Sequence, residues 1–214
     1  MYLKAVAVCA ALTLAGAGAQ AMTLTENFND GTLNGFGVIN GGAGSVINGG
    51  PGGASDPYLS VVDTASGFMA VTFGPEWVGD LSAFDGAAFS VDYIQTAQAA
   101  GGYIESFGQL LLTGAGRTIG ADVILNDPTA TWQSASATLT ASLFGVSQSI
   151  WEDVLADVTE FAIRAESWSN PSETVGFDNF SLVGTAPPAV PLPAGGVLLL
   201  TGLGALGLWR RRRT

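Results

Sequence analysis

Carboxylates are the only side chains in this sequence that could supply ordinary acid–base catalysis. The 214 residues include no histidine and one cysteine, against 18 aspartates and glutamates. Without histidine, the usual general base of serine and cysteine hydrolases and the commonest zinc ligand are both missing. A glycosidase could still use two carboxylates about 5–9.5 Å apart across a cleft. Eighteen acids produce such a pair by chance, so we predict a non-enzymatic protein and keep a polysaccharide-acting enzyme as an alternative.

Four tryptophans are candidates for the aromatic platform that a sugar site needs beside hydrogen-bonding groups. They are Trp77, Trp132, Trp151 and Trp168. Trp168 lies in a polar segment, so we predict that it is exposed and is the candidate sugar contact. Trp77 and Trp132 are expected in the core or at strand edges, and Trp151 in the core.

The distribution of charge restricts the partners of the central part of the chain. Between residues 22 and 193 the cations are Arg117 and Arg164, which face all 18 carboxylates and leave a formal charge of −16. Such a region repels phosphate backbones, so nucleic-acid binding is excluded, whereas neutral sugars, divalent cations and basic partners remain compatible. We expect Arg164 to pair with a carboxylate such as Glu166 or Asp92, because an unpaired buried guanidinium is costly.

The first 21 residues have the composition of a secretory signal peptide. Lys4 supplies a positive charge, residues 5–14 are apolar, and Ala19-Gln20-Ala21 is a small-x-small cleavage site. The apolar stretch is too short for a membrane anchor. We therefore predict that residues 1–21 form a signal helix that is removed on export. Because Cys9 lies within it, the exported chain would have no disulfide and would depend on its core, with or without a bound ion.

The C-terminal residues contain three features in a fixed order. A proline motif comes first, an apolar helix over residues 194–209 follows, and an arginine cluster ends the chain. With a few residues before it the helix is long enough to span a membrane, and the arginines would stay on the cytoplasmic side. The motif is Val190, Pro191, Leu192, Pro193 and Ala194, and the cluster is Arg210, Arg211, Arg212 and Arg213.

This order of motif, helix and arginines resembles a VPLPA-type PEP-CTERM sorting tail. The resemblance implies that an exosortase, a protease of the inner membrane, cuts the chain near the proline motif. It also implies that the exported chain is anchored transiently in the inner membrane and is then released to the cell surface or outside the cell. An ordinary tail anchor behind a proline-rich linker is the alternative.

The region between these ends consists of short apolar runs separated by Gly, Pro, Asn and Asp, which is typical of antiparallel strands. Such strands over about 160 residues, without interleaved helices, predict an all-β fold, an antiparallel jelly-roll β-sandwich. One short helix is predicted over residues 149–157, with a capping box formed by Ser149 and Glu152. The glycine-rich segment 41–53 is predicted to be a mobile surface loop. The predicted strands are 58–62, 68–73, 88–94, 109–113, 119–125, 131–139, 161–165 and 175–182.

Four segments of this region resemble, in order, a laminin B (laminin type IV) domain. They are residues 73–90, 121–125, 154–166 and 176–180. The resemblance implies a galactose-binding-like jelly roll of the kind found in extracellular matrix proteins. No catalytic residue is carried over with it.

The same resemblance implies a structural calcium ion, because related jelly rolls hold Ca²⁺ between their first and last strands. The ligands would be Glu26, Asn29 and Asp30 near the start of the domain and Asp178 in the last strand. Calcium takes six to eight oxygen ligands, which strands pairing at the two chain ends could bring together. Turn and surface positions are the alternative role for these four residues.

The predicted organisation is a signal peptide (1–21), a sandwich domain (22–183), a proline-rich linker with the sorting motif (184–193), and a transmembrane helix with its arginine tail (194–214). The predicted function is an exported structural or adhesion protein of the cell surface or extracellular matrix, processed by an exosortase. A carbohydrate-binding module that binds extracellular polysaccharide on the same fold is the alternative. Calcium is the predicted cofactor.

Overall fold

The computed structural model describes residues 22–65, 67–98, 106–167 and 172–184. The predicted signal peptide, sorting motif, transmembrane helix, arginine tail and Trp168 all lie outside these residues. Within the described part of the chain, no helix is both long enough and apolar enough to cross a membrane.

The described residues form eleven strands, one α-helix and two short 3₁₀ helices. The 3₁₀ helices are Pro75–Trp77 and Ser82–Phe84. The other elements, in chain order, are β1 (Thr23–Glu26), β2 (Gly37–Ile39), β3 (Gly42–Asn48), β4 (Pro57–Asp63), β5 (Ala70–Thr72), β6 (Ala88–Ala97), β7 (Gln109–Gly114), β8 (Arg117–Asp122), β9 (Gln133–Thr138), α1 (Gln148–Leu155), β10 (Val158–Arg164) and β11 (Thr174–Val183).

The strands form two antiparallel sheets. The six-stranded sheet has the order β3-β4-β11-β6-β9, with β1 also paired to β11, and the five-stranded sheet has the order β2-β5-β10-β7-β8. All eight predicted strands are present, as β4 to β11. The predicted all-β antiparallel sandwich with one short helix is therefore confirmed.

The prediction of a mobile loop over residues 41–53 is wrong for half of that segment. Residues Gly42–Asn48 form β3, which pairs along its whole length with β4. Glycine has a low intrinsic strand preference, so the segment gave no strand signal. Glycine is required here because a Cβ at residue 42 or 44 would collide with Val38 of the facing sheet. The strand therefore exists because of a close approach between sheets.

Aromatic side chains fill the space between the two sheets. Phe73 lies at the centre, with ring centroids 4.7 Å from Phe161 of the five-stranded sheet and 4.9 Å from Phe180 of the six-stranded sheet. Trp77 is fully buried beside Phe73, with the two rings edge to face. Burial of such large rings is the main source of stability for a domain that has no disulfide.

Helix α1 begins one residue earlier than predicted and is capped by a different serine. The capping residue is Ser147, whose hydroxyl accepts a hydrogen bond from the Ile150 amide, whereas Ser149 lies inside the helix. The predicted capping box is therefore wrong. Trp151 is buried as predicted, stacked on Phe144, and its Nε1 donates to Asp85 Oδ1 at 2.7 Å.

Candidate functional site

The outward side of the five-stranded sheet, which we call the open face, is a candidate binding surface. Side chains alternate between the two sides of a strand. In β7, Leu110 and Leu112 enter the core, while Gln109, Leu111 and Thr113 lie on the outside. The same alternation in the other strands defines the open face as Gly37, Ile39, Ala70, Thr72, Gln109, Leu111, Thr113, Thr118, Gly120, Asp122, Glu160, Ala162 and Arg164.

One row of this face crosses all five strands and consists mostly of small residues. Its members pair in the order Gly37, Thr72, Ala162, Leu111 and Gly120. Two of the five positions are glycine and one is alanine, and the alanine, Ala162, is fully buried between its neighbours. Little side-chain bulk rises from this row, which we call the trough. A flat chain of rings could lie along such a trough without a deep pocket.

Hydrogen-bonding side chains flank the trough on both sides. On one side, Gln109 Nε2 donates to Asp122 Oδ1 at 3.2 Å. On the other, the hydroxyls of Thr113 and Thr118 lie 2.8 Å apart. The amide and hydroxyl groups donate and accept hydrogen bonds and the carboxylate accepts them, which suits the hydroxyl groups of a sugar.

An aromatic ring and a guanidinium lie together at one end of the open face. Phe68 precedes β5 and is 53% exposed, and the Arg164 guanidinium carbon lies 5.0 Å from the centre of its ring. This cation–π contact holds a flat, partly apolar surface in place beside the trough. The apolar run 68–73 predicted a strand that begins at Phe68, whereas β5 begins at Ala70 and leaves Phe68 in the preceding segment.

The expected ion pair of Arg164 with Glu166 or Asp92 is wrong. Glu166 accepts a hydrogen bond from the Met69 amide, and Asp92 belongs to the other sheet, where it accepts from Ser134 and Asn179. The reason is that Arg164 lies on the outer face and stays partly exposed, so its charge remains hydrated and needs no counter-ion.

Aromatic rings cover part of the outward side of the six-stranded sheet. The Tyr58 ring lies against Gly176 of β11, and Trp132 meets Tyr58 edge to face at 5.1 Å. Trp132 is partly buried, and its Nε1 donates to the Gly49 carbonyl of the β3–β4 connection. Its predicted position at a strand edge agrees with this, since it immediately precedes the edge strand β9.

The four predicted calcium ligands do not come together in this structure. Glu26 and Asp178 are both buried near the β1–β11 pairing, but Asn29 and Asp30 are exposed. Asp30 accepts hydrogen bonds from Thr32, which lower its pKa. Over the described ranges, no group of three or more His, Cys, Asp or Glu side chains is arranged to hold a metal ion. Calcium binding therefore stays a prediction.

Asp178, near the pairing of β1 with β11, is an almost fully buried acid. A β-bulge with Asn179 at a φ of 50° turns Phe177 and Phe180 inward and leaves Asp178 on the other side of the strand. The side chain is 1% exposed, and neither carboxylate oxygen has a hydrogen-bond partner among the described residues. Burial, reinforced by the nearby charges of Asp56 and others, raises the pKa of Asp178 to about 7. Nothing in the sequence places Asp56 near Asp178, because the connection between β3 and β4 brings the two carboxylates together.

A second group of buried acids lies where β4 and β10 end and β11 begins. Ser167 donates through its amide and its hydroxyl to Glu173, each at 2.8 Å. Glu166 accepts from the Met69 amide, and the Asp63 amide donates to the Glu173 carbonyl. Burial, followed by the charges of Asp63 and Glu173, raises the pKa of Glu166 to about 7. This group connects three strand ends.

Comparisons with known proteins show what kind of fold carries these surfaces. No protein-family model and no curated protein matches this chain. An exo-beta-agarase has a similar structure, with a TM-score of 0.54 and 15% identity over 76% of this chain, which spans 25% of the agarase chain. The CBM22-1 xylan-binding domain of Xyn10C from Paenibacillus barcinonensis has a TM-score of 0.50 and 12% identity, over 80% of this chain and 100% of that domain.

The L4b domain of human laminin alpha-2 is also similar, with a TM-score of 0.42 and 12% identity, over 55% of this chain and 70% of that domain. This likeness is too distant to support the laminin B resemblance, which stays a prediction. At such identities the agarase and xylan-binding structures show the fold alone. The chain has the β-sandwich fold that carbohydrate-binding modules also use.

Proposed function

We propose that this chain is a carbohydrate-binding module that binds a neutral extracellular polysaccharide along its open face. The observation that carries the proposal is the exposed Phe68 ring, held by Arg164 beside a trough that is flanked by amide, carboxylate and hydroxyl groups. An aromatic surface beside convergent polar groups is the usual composition of a sugar site. The similarity in fold to a xylan-binding domain supports the same function.

Carbohydrate binding was the alternative predicted from the sequence, and the fold supports it better than the structural or adhesion function that was predicted first. A neutral ligand is proposed because the domain is strongly acidic, and polyanionic glycans would be repelled. Binding without catalysis is the activity that we propose.

Phe68→Ala should weaken polysaccharide binding by about tenfold, which corresponds to about 1.4 kcal/mol and is typical of an aromatic contact residue. The measurement is affinity gel electrophoresis of the full chain against a panel of neutral polysaccharides that includes xylan and agarose. Leu125→Ala is the matched control, because Leu125 is an apolar residue that is 83% exposed and lies outside the open face. Equal retardation of the two variants would contradict the proposal.

We also propose, from the sequence motifs alone, that the chain is exported and that its tail is processed by an exosortase. The order of the proline motif, apolar helix and four arginines supports this. In cells that have the exosortase, the intact mass should correspond to a chain that ends near Pro193, and deletion of the exosortase should restore the tail. A mass that retains Arg210 to Arg213 in both strains would indicate an ordinary tail anchor.

A further inference from the structure

A second concave site lies apart from the open face, at the end of β6. It is a cavity of about 410 Å³ between the last residues of that strand and residues 127–130. The backbone N–H of Gln95 donates to the Thr129 carbonyl at 2.8 Å, and this bond joins the strand side of the cavity to the side formed by residues 127–130. The cavity has the size of a small-molecule site. We call it the β6 pocket.

Polar groups that suit a hydroxylated ring line the β6 pocket. The lining includes the side chains of Thr96, Gln98 and Thr129, which lie at the surface, and that of Gln95, which is buried. Amides and hydroxyls of this kind donate and accept hydrogen bonds and carry no charge. They suit a sugar ring but leave the choice between neutral and charged sugars open.

The charges around the pocket favour a cationic ring. Asp127 is the one charged side chain among the described lining residues, and it is exposed. Its charge adds to burial in raising the pKa of the Tyr93 hydroxyl beneath it. No lysine or arginine belongs to the described lining, and the described cations Arg117 and Arg164 lie in the five-stranded sheet.

Further negative charge lies behind the Gln95 wall. Gln95 Nε2 donates to the Ser167 hydroxyl at 2.8 Å, and that hydroxyl donates to Glu173. Burial raises the pKa of Glu166 next to them, and the charges of Asp63 and Glu173 add to that effect. A pocket that opens onto an exposed carboxylate and is backed by buried acids attracts cations and repels anions.

We propose that the β6 pocket binds a sugar ring that carries a protonated amine, as in the glucosamine units of a partly de-N-acetylated polysaccharide. The ammonium group donates to the Asp127 carboxylate, and the ring hydroxyls exchange hydrogen bonds with Gln98, Thr96 and Thr129. This site is separate from the open face, so the inference goes beyond the proposed function and does not depend on it.

The test is isothermal titration of the full chain with β-1,4-linked glucosamine oligosaccharides and with fully N-acetylated oligosaccharides of the same length. The amino form should bind at least about tenfold more tightly, because acetylation removes the charge that Asp127 recognises. Asp127→Asn should remove most of that difference. Ile47→Ala, at an exposed apolar residue of β3 that belongs to neither proposed site, should leave that difference unchanged.

Asp153→Asn is the matched control for diffuse attraction. Asp153 is an exposed acid on α1, and its substitution changes the net charge of the chain by the same amount as Asp127→Asn. It should alter the affinity for the amino oligosaccharide less than about twofold. Equal losses in Asp127→Asn and Asp153→Asn, equal binding of both oligosaccharides, or no binding by the native chain would each overturn the proposal.

Discussion

Phe73→Ala will lower the free energy of unfolding by about 3–5 kcal/mol, which is the usual cost of removing a buried aromatic ring. The ring of Phe73 contacts the rings of Phe36, Trp77, Phe161 and Phe180, with centroid distances of 4.7–5.1 Å. Since these rings come from both sheets, the substitution leaves a cavity at the centre of the sandwich. Urea denaturation of the full chain, followed by tryptophan fluorescence, measures the change.

Phe68→Ala is the control for this substitution, because it makes the same chemical change at a residue that is more than half exposed. Its free energy of unfolding should stay within about 0.5 kcal/mol of the native value. A native-like stability of Phe68→Ala would also show that its loss of polysaccharide binding is not caused by unfolding. A loss below about 1 kcal/mol in Phe73→Ala would contradict the assignment of Phe73 to the centre of the core.

Asp178→Asn will raise the melting temperature of the full chain at pH 8 in EDTA. The native side chain is buried, has two unpartnered oxygens and has a pKa of about 7, so at pH 8 it is held charged in an unfavourable site. Each pKa unit corresponds to about 1.4 kcal/mol, so ionisation costs on the order of 2–4 kcal/mol. For a domain of this size the gain is roughly 5–10 °C.

The dependence on pH has a defined sign. The folded pKa of Asp178 lies above its model value of 3.8, so its contribution to stability is complete below about pH 4 and is lost as the pH rises to about 7. Glu166 acts in the same direction, between 4.5 and about 7. In EDTA the native chain should therefore melt at a lower temperature at pH 8 than at pH 5. The melting temperature of Asp178→Asn should fall less between pH 5 and pH 8 than that of the native chain. Some decrease should remain, because Glu166 still ionises in this range.

Calcium provides the second arm of this experiment. If Glu26 and Asp178 bind the predicted ion, millimolar Ca²⁺ at pH 8 will raise the melting temperature of the native chain but not that of Asp178→Asn. Asp30→Asn should respond like the native chain, because Asp30 is exposed and bonded within its own turn. The calcium prediction fails if Ca²⁺ leaves the native melting temperature unchanged. A lower melting temperature for Asp178→Asn than for the native chain in EDTA would contradict the electrostatic argument.

The later strands were predictable and the first three were not, for a physical reason. Strands β4 to β11 mostly contain runs of apolar residues that are visible in the sequence, such as the three consecutive leucines of β7. Strand β3 has small or polar residues at most positions, and its glycines are selected by a close approach to Val38 on the other sheet. A contact between residues on different sheets leaves no periodic signal in either strand.

The candidate sites were less predictable than the fold. The alternation of side chains along β10 places Arg164 on one side of the sheet. It does not show whether other residues cover that side. In the structure Tyr58 and Trp132 cover the outside of the six-stranded sheet near Gly176, while Arg164 stays partly exposed beside Phe68. The acidity of the chain was visible in the sequence, but the burial of Asp178 depends on how β1, β4 and β6 surround β11.

The most direct test of polysaccharide binding on the open face is a ¹H–¹⁵N NMR titration of the full chain with the neutral polysaccharide that binds best in the gel assay. The amides of Thr72, Leu111 and Ala162, which form the trough, should shift as the ligand is added. Those of Ser60 and Asp92 on the opposite sheet should not. Shifts confined to the six-stranded sheet, or no shifts at a saturating concentration, would contradict the proposed function.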